Sequence, residues 1–121
     1  MDKQQAYYSL WSGFSIPAYD ENSVPDDATF PRIDYQVIID DIDSPVYPMA
    51  KLWYRDTSWT EADTKLTEIA AYIEDMSPIL IDTGYMNVTK GTPFAQRITA
   101  ENDPTIKGYL LNIGVEFFTK N

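Results

Sequence analysis

The sequence predicts an α+β fold, in which an antiparallel or mixed sheet of about four to five strands carries two helices packed on one face. Two observations lead to this prediction. Several segments alternate apolar and polar side chains, as half-buried strands do, while the middle of the chain places apolar residues at spacings of three and four, as an amphipathic helix does. The predicted order is α-β-β-α-β-β-β. At 121 residues, the chain is expected to form a single domain over residues 1–121.

The central helix is the most clearly marked element. Ser58 is followed three residues later by Glu61, which matches a capping box and predicts that a helix begins at this point. Its apolar positions then fall on one face: Ala62, Leu66, Ile69, Ala70, Ile73 and Met76. Pro78 predicts that the helix ends just before it. A shorter helix is predicted over residues 3–12, with Asp2 as its N-cap.

The strands are predicted from alternation and from short apolar runs bounded by turn residues. They cover residues 32–40, 47–57, 79–82, 85–90 and 105–119. Thr83 and Gly84 lie between the third and fourth of these strands and predict a compact hairpin turn. The last strand is longer than usual, so we expect either a projecting end or a bulge near Gly108 or Gly114.

Two long connections separate these elements. Residues 16–31 hold three prolines and a cluster of Asp, Asn and Ser, which predicts a surface loop. Residues 91–104 have an apolar middle and a polar tip and can form an arm. Connections of this length in a small domain are often functional or become ordered on a partner.

The composition excludes much of enzyme chemistry. The chain has no Cys and no His, which removes disulfides, thiolate nucleophiles, imidazole bases and zinc sites built from those residues. No phosphate-binding loop or dinucleotide fingerprint is present. We therefore predict that the protein is not an enzyme, has no catalytic residue and needs no cofactor.

Charge and hydropathy limit the environment and the ligands. The net charge is −10, from 19 acidic and 9 basic residues, whereas proteins that grip nucleic acid usually carry the opposite balance. An acidic surface instead suits a passage through which DNA slides without being held. The mean hydropathy is −0.35 and no apolar run is long enough to span a bilayer, so we expect a soluble protein made in the cytoplasm, without contact with a membrane.

Carboxylates could offer one site for a hard metal ion. Asp40, Asp41 and Asp43 form a short acidic run that could hold Mg²⁺ or Ca²⁺. An acidic loop in a chain of this charge needs no metal, however, and Asp26 and Asp27 have even less support. We therefore predict no metal site, with a small carboxylate-metal enzyme kept as the less favoured alternative.

The aromatic content indicates self-association. The chain holds 3 Trp, 9 Tyr and 5 Phe, more than a domain of this size is expected to bury alone. Some of these side chains will form the core, and the rest are available to an interface. The predicted interface residues combine the first helix with the second long connection: Tyr7, Trp11, Pro93, Phe94, Arg97 and Ile98. Arg97 is a candidate for a salt bridge to a neighbouring subunit, although a solvated arginine is the simpler alternative.

Three segments of the sequence resemble those of a known group of proteins. They are QQAYYSLWSGFSIPAYDENSVPDDATFP, LWYRDTSWTEA and TKGTPFAQRI. They resemble the small neck or tail-terminator proteins of long-tailed phages, and of prophages in Gram-positive bacteria, over nearly the whole chain from Gln4 to Phe118. None of the segments is a catalytic motif.

The resemblance implies a structural protein of the virion. Such a subunit has a tail-terminator-like α+β fold and assembles in the host bacterial cytoplasm into a homo-oligomeric ring, typically a hexamer, that closes the tail tube and joins it to the head. Its implied partners are further copies of itself, the tail tube protein and a head-completion or connector protein. DNA would pass through the lumen without sequence-specific binding. A head-completion or connector role in the same neck is the alternative.

Overall fold

A computed structural model describes residues 1–39, 44–100 and 102–119. These residues form two α-helices and six β-strands. The helices are α1 (Lys3–Trp11), followed by a 3-10 turn (Ser12–Phe14), and α2 (Thr60–Asp75). The strands are β1 (Ala18–Asp20), β2 (Arg32–Tyr35), β3 (Met49–Arg55), β4 (Ile79–Ile81), β5 (Gly84–Ala100) and β6 (Asp103–Thr119). The α+β class is confirmed, and the sheet has more strands than predicted.

The strands form one mixed sheet in the order β1-β2-β3-β6-β5-β4. β1 and β2 are parallel, and every other neighbouring pair is antiparallel. The additional strand, β1, lies inside residues 16–31, which we predicted as a loop. Its three residues are too few to show an alternating pattern, so only pairing with β2 reveals it.

A local hydrogen-bond pattern determines where the first helix begins. The Asp2 carboxylate accepts from the backbone N–H of Gln5 at 2.8 Å, and the Gln5 side chain accepts from the backbone N–H of Asp2 at 2.8 Å. This reciprocal pair is a complete capping box, and it confirms Asp2 as the cap.

The start of α2 differs from the prediction. The helix begins at Thr60, its N-cap is Trp59, and no side chain caps it. Ser58 lies one residue too early, so its hydroxyl accepts only from the backbone N–H of Thr60, at 3.3 Å. The prediction of a capping box formed by Ser58 and Glu61 is therefore wrong. The end at Asp75 agrees with the stop predicted from Pro78.

One face of the sheet, which we call the inner face, forms the core with both helices. Residues paired across strands share a face, and the row Ile33–Leu52–Tyr109 is buried. α1 reaches this face through Tyr7, whose ring meets Phe117 edge-on with centroids 6.1 Å apart. Residues of α2 cover the same face beside it. Each large apolar side chain buried in this way contributes roughly 1.5–3 kcal/mol relative to exposure.

The predicted arm over residues 91–104 is instead part of a long hairpin. β5 runs through this segment to Ala100, and β6 begins at Asp103. The register passes from Lys90↔Ile113 to Ala95↔Leu111, so the four residues from Gly91 to Phe94 face a single residue of β6. Gly91 and Pro93 lie in this bulge, whereas in the sequence they indicate a connection between two strands. A second irregularity lies on β6: the register passes from Thr99↔Lys107 to Ala100↔Asp103, so residues 104–106 are unmatched close to Gly108, one of the two places where we expected a bulge.

The strand predicted over residues 32–40 is shorter than expected. β2 ends at Tyr35, and residues 36–39 continue without strand structure. Asp40, Asp41 and Asp43 lie outside the described residues.

Candidate assembly surface

The face of the sheet opposite the helices, which we call the outer face, carries many apolar side chains. Its members alternate along each strand with the buried residues of the inner face. The apolar members include Met49, Trp53, Leu80, Tyr85, Leu110 and Phe118. Antiparallel sheets with one free face usually place polar residues on it. The outer face therefore departs from the usual pattern of a solvated sheet.

Four outer-face side chains are strongly exposed, as are Tyr8 and Tyr72 on the helices. Leu80 is 76% exposed, Tyr47 67%, Met49 40% and Tyr85 39%. The Tyr47 ring belongs to this face because a Cβ built on the outer-face position Gly114 would lie 3.7 Å from it. Clustered exposed apolar side chains of this kind mark interaction surfaces, whereas single ones are ordinary.

At one end of the outer face, three side chains form a continuous row. Leu80 on β4 pairs with Tyr85 on β5, and Tyr85 pairs with Phe118 on β6. The rings of Tyr85 and Phe118 are stacked, with centroids 4.8 Å apart and planes inclined by 21°. The row reaches the edge of the sheet at β4, so a partner can approach it from the side.

At the other end, an aromatic group is combined with basic residues. The Trp53 ring lies on Gly108, where an added Cβ would stand 2.6 Å from ring atoms, so this close approach requires glycine. The guanidinium groups of Arg32 and Arg55 lie 4.7 and 4.9 Å from the centre of the Phe30 ring. This end is therefore both apolar and positively charged.

The charges at this end are unequally compensated. Arg32 forms an ion pair with Asp34 at 3.0 Å, and Arg55 forms a longer one with Asp103 at 3.7 Å. The neighbouring Lys51 is exposed; Asp34 lies opposite it on β2, but that carboxylate pairs with Arg32, and among the described residues no ion pair to Lys51 is formed. Lys51 therefore leaves positive charge on the surface of an acidic protein.

Arg97 lies on the inner face and takes part in a cluster that ties the hairpin to α2. Its Nε donates to Tyr109 Oη at 3.0 Å, its Nη2 lies 3.3 Å from Asp63, and its guanidinium carbon is 4.2 Å from the centre of the Trp59 ring. The Tyr109 hydroxyl in turn donates to Asp63. Burial and the neighbouring Asp63 raise the pKa of Tyr109, while the hydrogen bond to Tyr109 raises the pKa of Arg97. The geometry therefore supplies Arg97 with partners inside its own chain.

Two of the predicted interface residues, Tyr7 and Trp11, lie in the core. They are 0% and 1% exposed, and the Tyr7 hydroxyl donates to the carbonyl of Ile38 at 2.6 Å. Burial raises the pKa of Tyr7 well above its usual range. Neither side chain offers surface to a partner.

The other predicted residues are distributed between separate places. Pro93 and Phe94 belong to the bulge, where the Pro93 carbonyl accepts from the Asn112 side chain at 3.1 Å. Ile98 lies on the outer face in the row of Trp53 and Gly108. Because Arg97 faces the helices, the six residues do not form one surface.

The outer-face residues Leu80, Tyr85 and Phe118 were missed from the sequence. A signal for them exists: the run from Ile79 to Ile81 is apolar at every position, as is the pair Phe117 and Phe118. A strand that is apolar on both faces is expected to be covered on both.

The described part of the chain offers no metal cluster. Within residues 1–39, 44–100 and 102–119, no group of three or more His, Cys, Asp or Glu side chains is arranged to hold an ion. Asp26 and Asp27 are exposed residues of the first long connection. Among these described residues, no helix is both long and apolar enough to cross a membrane.

Comparisons of the chain with protein-family models, with curated proteins and with solved structures found no match.

Proposed function

We propose that this chain is a structural subunit of the neck of a long-tailed phage or prophage, a tail terminator that forms a ring on the tail tube and joins it to the head. The observation that carries the proposal is the exposed apolar outer face, with its row of Leu80, Tyr85 and Phe118. Such a face is costly in water and is stabilised when another subunit covers it. The resemblance supplies the setting in which that subunit assembles.

The charge of the chain supports the same role. With a net charge of −10 per copy, a ring of several copies carries a large negative charge. Phosphates are repelled by such a surface, so DNA can move through the lumen without being bound. In this proposal, the remaining partners are the tail tube protein on one side and a head-completion or connector protein on the other.

The test is the assembly state of the purified chain. We expect light scattering to show a multimer of defined mass as the concentration rises, and negative-stain images to show closed rings that bind the ends of purified tail tubes. A chain that stays monomeric at every concentration, with and without tail tubes, would contradict the proposal. Binding to tailless heads but not to tubes would instead indicate the head-completion role.

A matched pair of variants links the assembly to the outer face. Leu80→Asn removes an exposed apolar side chain from the outer face, whereas Tyr8→Asn removes one, 54% exposed, from α1. We expect Leu80→Asn to weaken assembly on the order of tenfold and Tyr8→Asn to leave it unchanged. Equal effects would show that the outer face has no special part in assembly.

A further inference from the structure

α2 and β3 carry opposite charge and belong to opposite layers of the molecule. α2 holds five carboxylates and one lysine, whereas β3 holds two basic residues, Lys51 and Arg55, and no carboxylate. The two basic side chains alternate with the buried residues of β3 and so point to the outer face. The chain therefore presents negative charge on α2 and a small excess of positive charge at the β3 end of the outer face, where Arg32, Lys51 and Arg55 outnumber their carboxylate neighbours Asp34 and Asp103.

Three of the five carboxylates of α2 lie along one flank. Glu61, Glu68 and Asp75 are spaced by seven residues, or about two helical turns, so they lie in one line. All three are exposed. Glu68 forms an ion pair with Lys65 at 3.1 Å, while the described residues offer Glu61 and Asp75 no such partner. This flank keeps negative charge available to a partner.

Both surfaces also present apolar area. Tyr72, on the same flank of α2, is 48% exposed, and its ring is held edge-on against Phe14 with centroids 5.2 Å apart. Met49 and Trp53 stand beside the basic residues on the outer face. A rigid aromatic side chain surrounded by negative charge is complementary to an apolar surface surrounded by positive charge.

We infer that the acidic flank of α2 in one copy packs against the β3 end of the outer face in a second copy. In this contact, Glu61, Glu68 and Asp75 face Lys51 and Arg55, and Tyr72 packs on the apolar side chains beside them. Two copies that met through the same surface would bring like charges together, which disfavours a symmetric pair. Joining two different surfaces makes a heterologous contact, which generates a closed ring when the rotation between copies closes. The inference rests on the proposed ring and names the contact that builds it.

Charge reversal in two blocks tests this contact. The sheet block is Lys51→Glu with Arg55→Glu, and the helix block is Glu61→Lys with Glu68→Lys. We expect each block alone to weaken assembly by at least about tenfold, because like charges then face each other. The chain that carries both blocks should recover most of the assembly, since the charges are again complementary. A control with Asp26→Lys and Asp27→Lys changes the net charge as the helix block does, but in an exposed loop, and should have little effect.

The measurement is the association constant from light scattering at 0.05 and 0.5 M NaCl, with the circular dichroism and melting temperature of each variant as checks of folding. The milder Lys51→Gln replaces the sheet block if that block fails to fold. We expect wild-type assembly to weaken as salt rises, because screening shortens the range of the attraction. Rings that form normally with either block would overturn the contact but leave the proposed function standing. A chain that never assembles, alone or with purified tail tubes, would overturn both.

Discussion

The two faces of the same sheet differ in what covers them. On the inner face, Leu52 and Phe117 are fully buried beneath the helices, whereas Leu80 and Tyr85 on the outer face keep 76% and 39% of their surface exposed. Neighbouring positions of the same strands supply both faces, so the strands themselves do not explain the difference. The presence of a helical layer on only one side does. Among the described residues, no helix covers the outer face, and exposed apolar faces of this kind are typical of interaction surfaces.

The largest expected difference between the faces is in stability. Leu52→Ala removes a side chain that is 0% exposed, and we expect the free energy of unfolding to fall by about 2–5 kcal/mol because a cavity remains. Met49→Ala, on the outer face of the same strand, should cost less than about 1 kcal/mol in the isolated subunit. Urea unfolding of the monomer measures both. Equal losses would mean that Met49 is also packed within its own subunit.

The second expected effect concerns the close packing under Trp53. Gly108→Ala places a Cβ 2.6 Å from the Trp53 ring, which is part of the outer face, and should destabilise the chain by about 1–3 kcal/mol. Gly13→Ala is the control, because a Cβ there meets nothing within 4 Å. Thermal unfolding compares the two variants. An unchanged stability in Gly108→Ala would show that the Trp53 ring moves aside freely.

A third effect distinguishes the inner face by its response to pH. Burial raises the pKa of Tyr7, so the folded chain keeps this proton at a pH where the unfolded chain loses it. The contribution of the neutral Tyr7 hydroxyl to the free energy of unfolding is complete below about pH 10, the pKa of tyrosine in the unfolded chain. It is lost as the pH rises above that value, at up to about 1.4 kcal/mol per pH unit. Urea midpoints between pH 8 and 11 should therefore fall more steeply in the wild type than in Tyr7→Phe. Parallel curves would show that Tyr7 is not the titrating group.

The smallest expected change in stability comes from the outer face. Leu80→Asn should alter the free energy of unfolding of the monomer by less than about 0.5 kcal/mol, because the side chain is 76% exposed. The same variant is expected to weaken assembly. A monomer that loses much more stability would mean that Leu80 supports its own subunit and does not serve a partner.

The elements could be predicted where the signal is local. The cap at Asp2, the apolar stripe of α2 and the stop before Pro78 depend on contacts within a few residues, so the sequence is enough to find them. Where a boundary depends on one residue of register, as at Ser58, the prediction failed. The bulge after Lys90 also escaped prediction, because Gly and Pro mark a bulge and a loop in the same way.

The candidate surface was harder to predict than the fold. The aromatic content predicts that some side chains contact a partner. Tyr7 and Trp11, which we predicted for this contact, are buried in the core, whereas Leu80 and Tyr85 are exposed. Arg97, a candidate for a salt bridge to a neighbouring subunit with a solvated arginine as the simpler alternative, contacts Asp63 and Tyr109 in its own chain. Exposure depends on which elements pack together, and this information is spread over residues far apart in the chain.

The sequence alone determined the α+β class, the two helices and the acidic charge, because composition and periodicity act locally or by simple addition. Only the tertiary structure decided which face of the sheet the helices cover. That choice follows from the pairing of strands distant in sequence, such as β3 with β6, and from the positions where α1 and α2 pack. The apolar side chains of the outer face are visible in the sequence, but they form a surface only because both helices pack on the other side of the sheet.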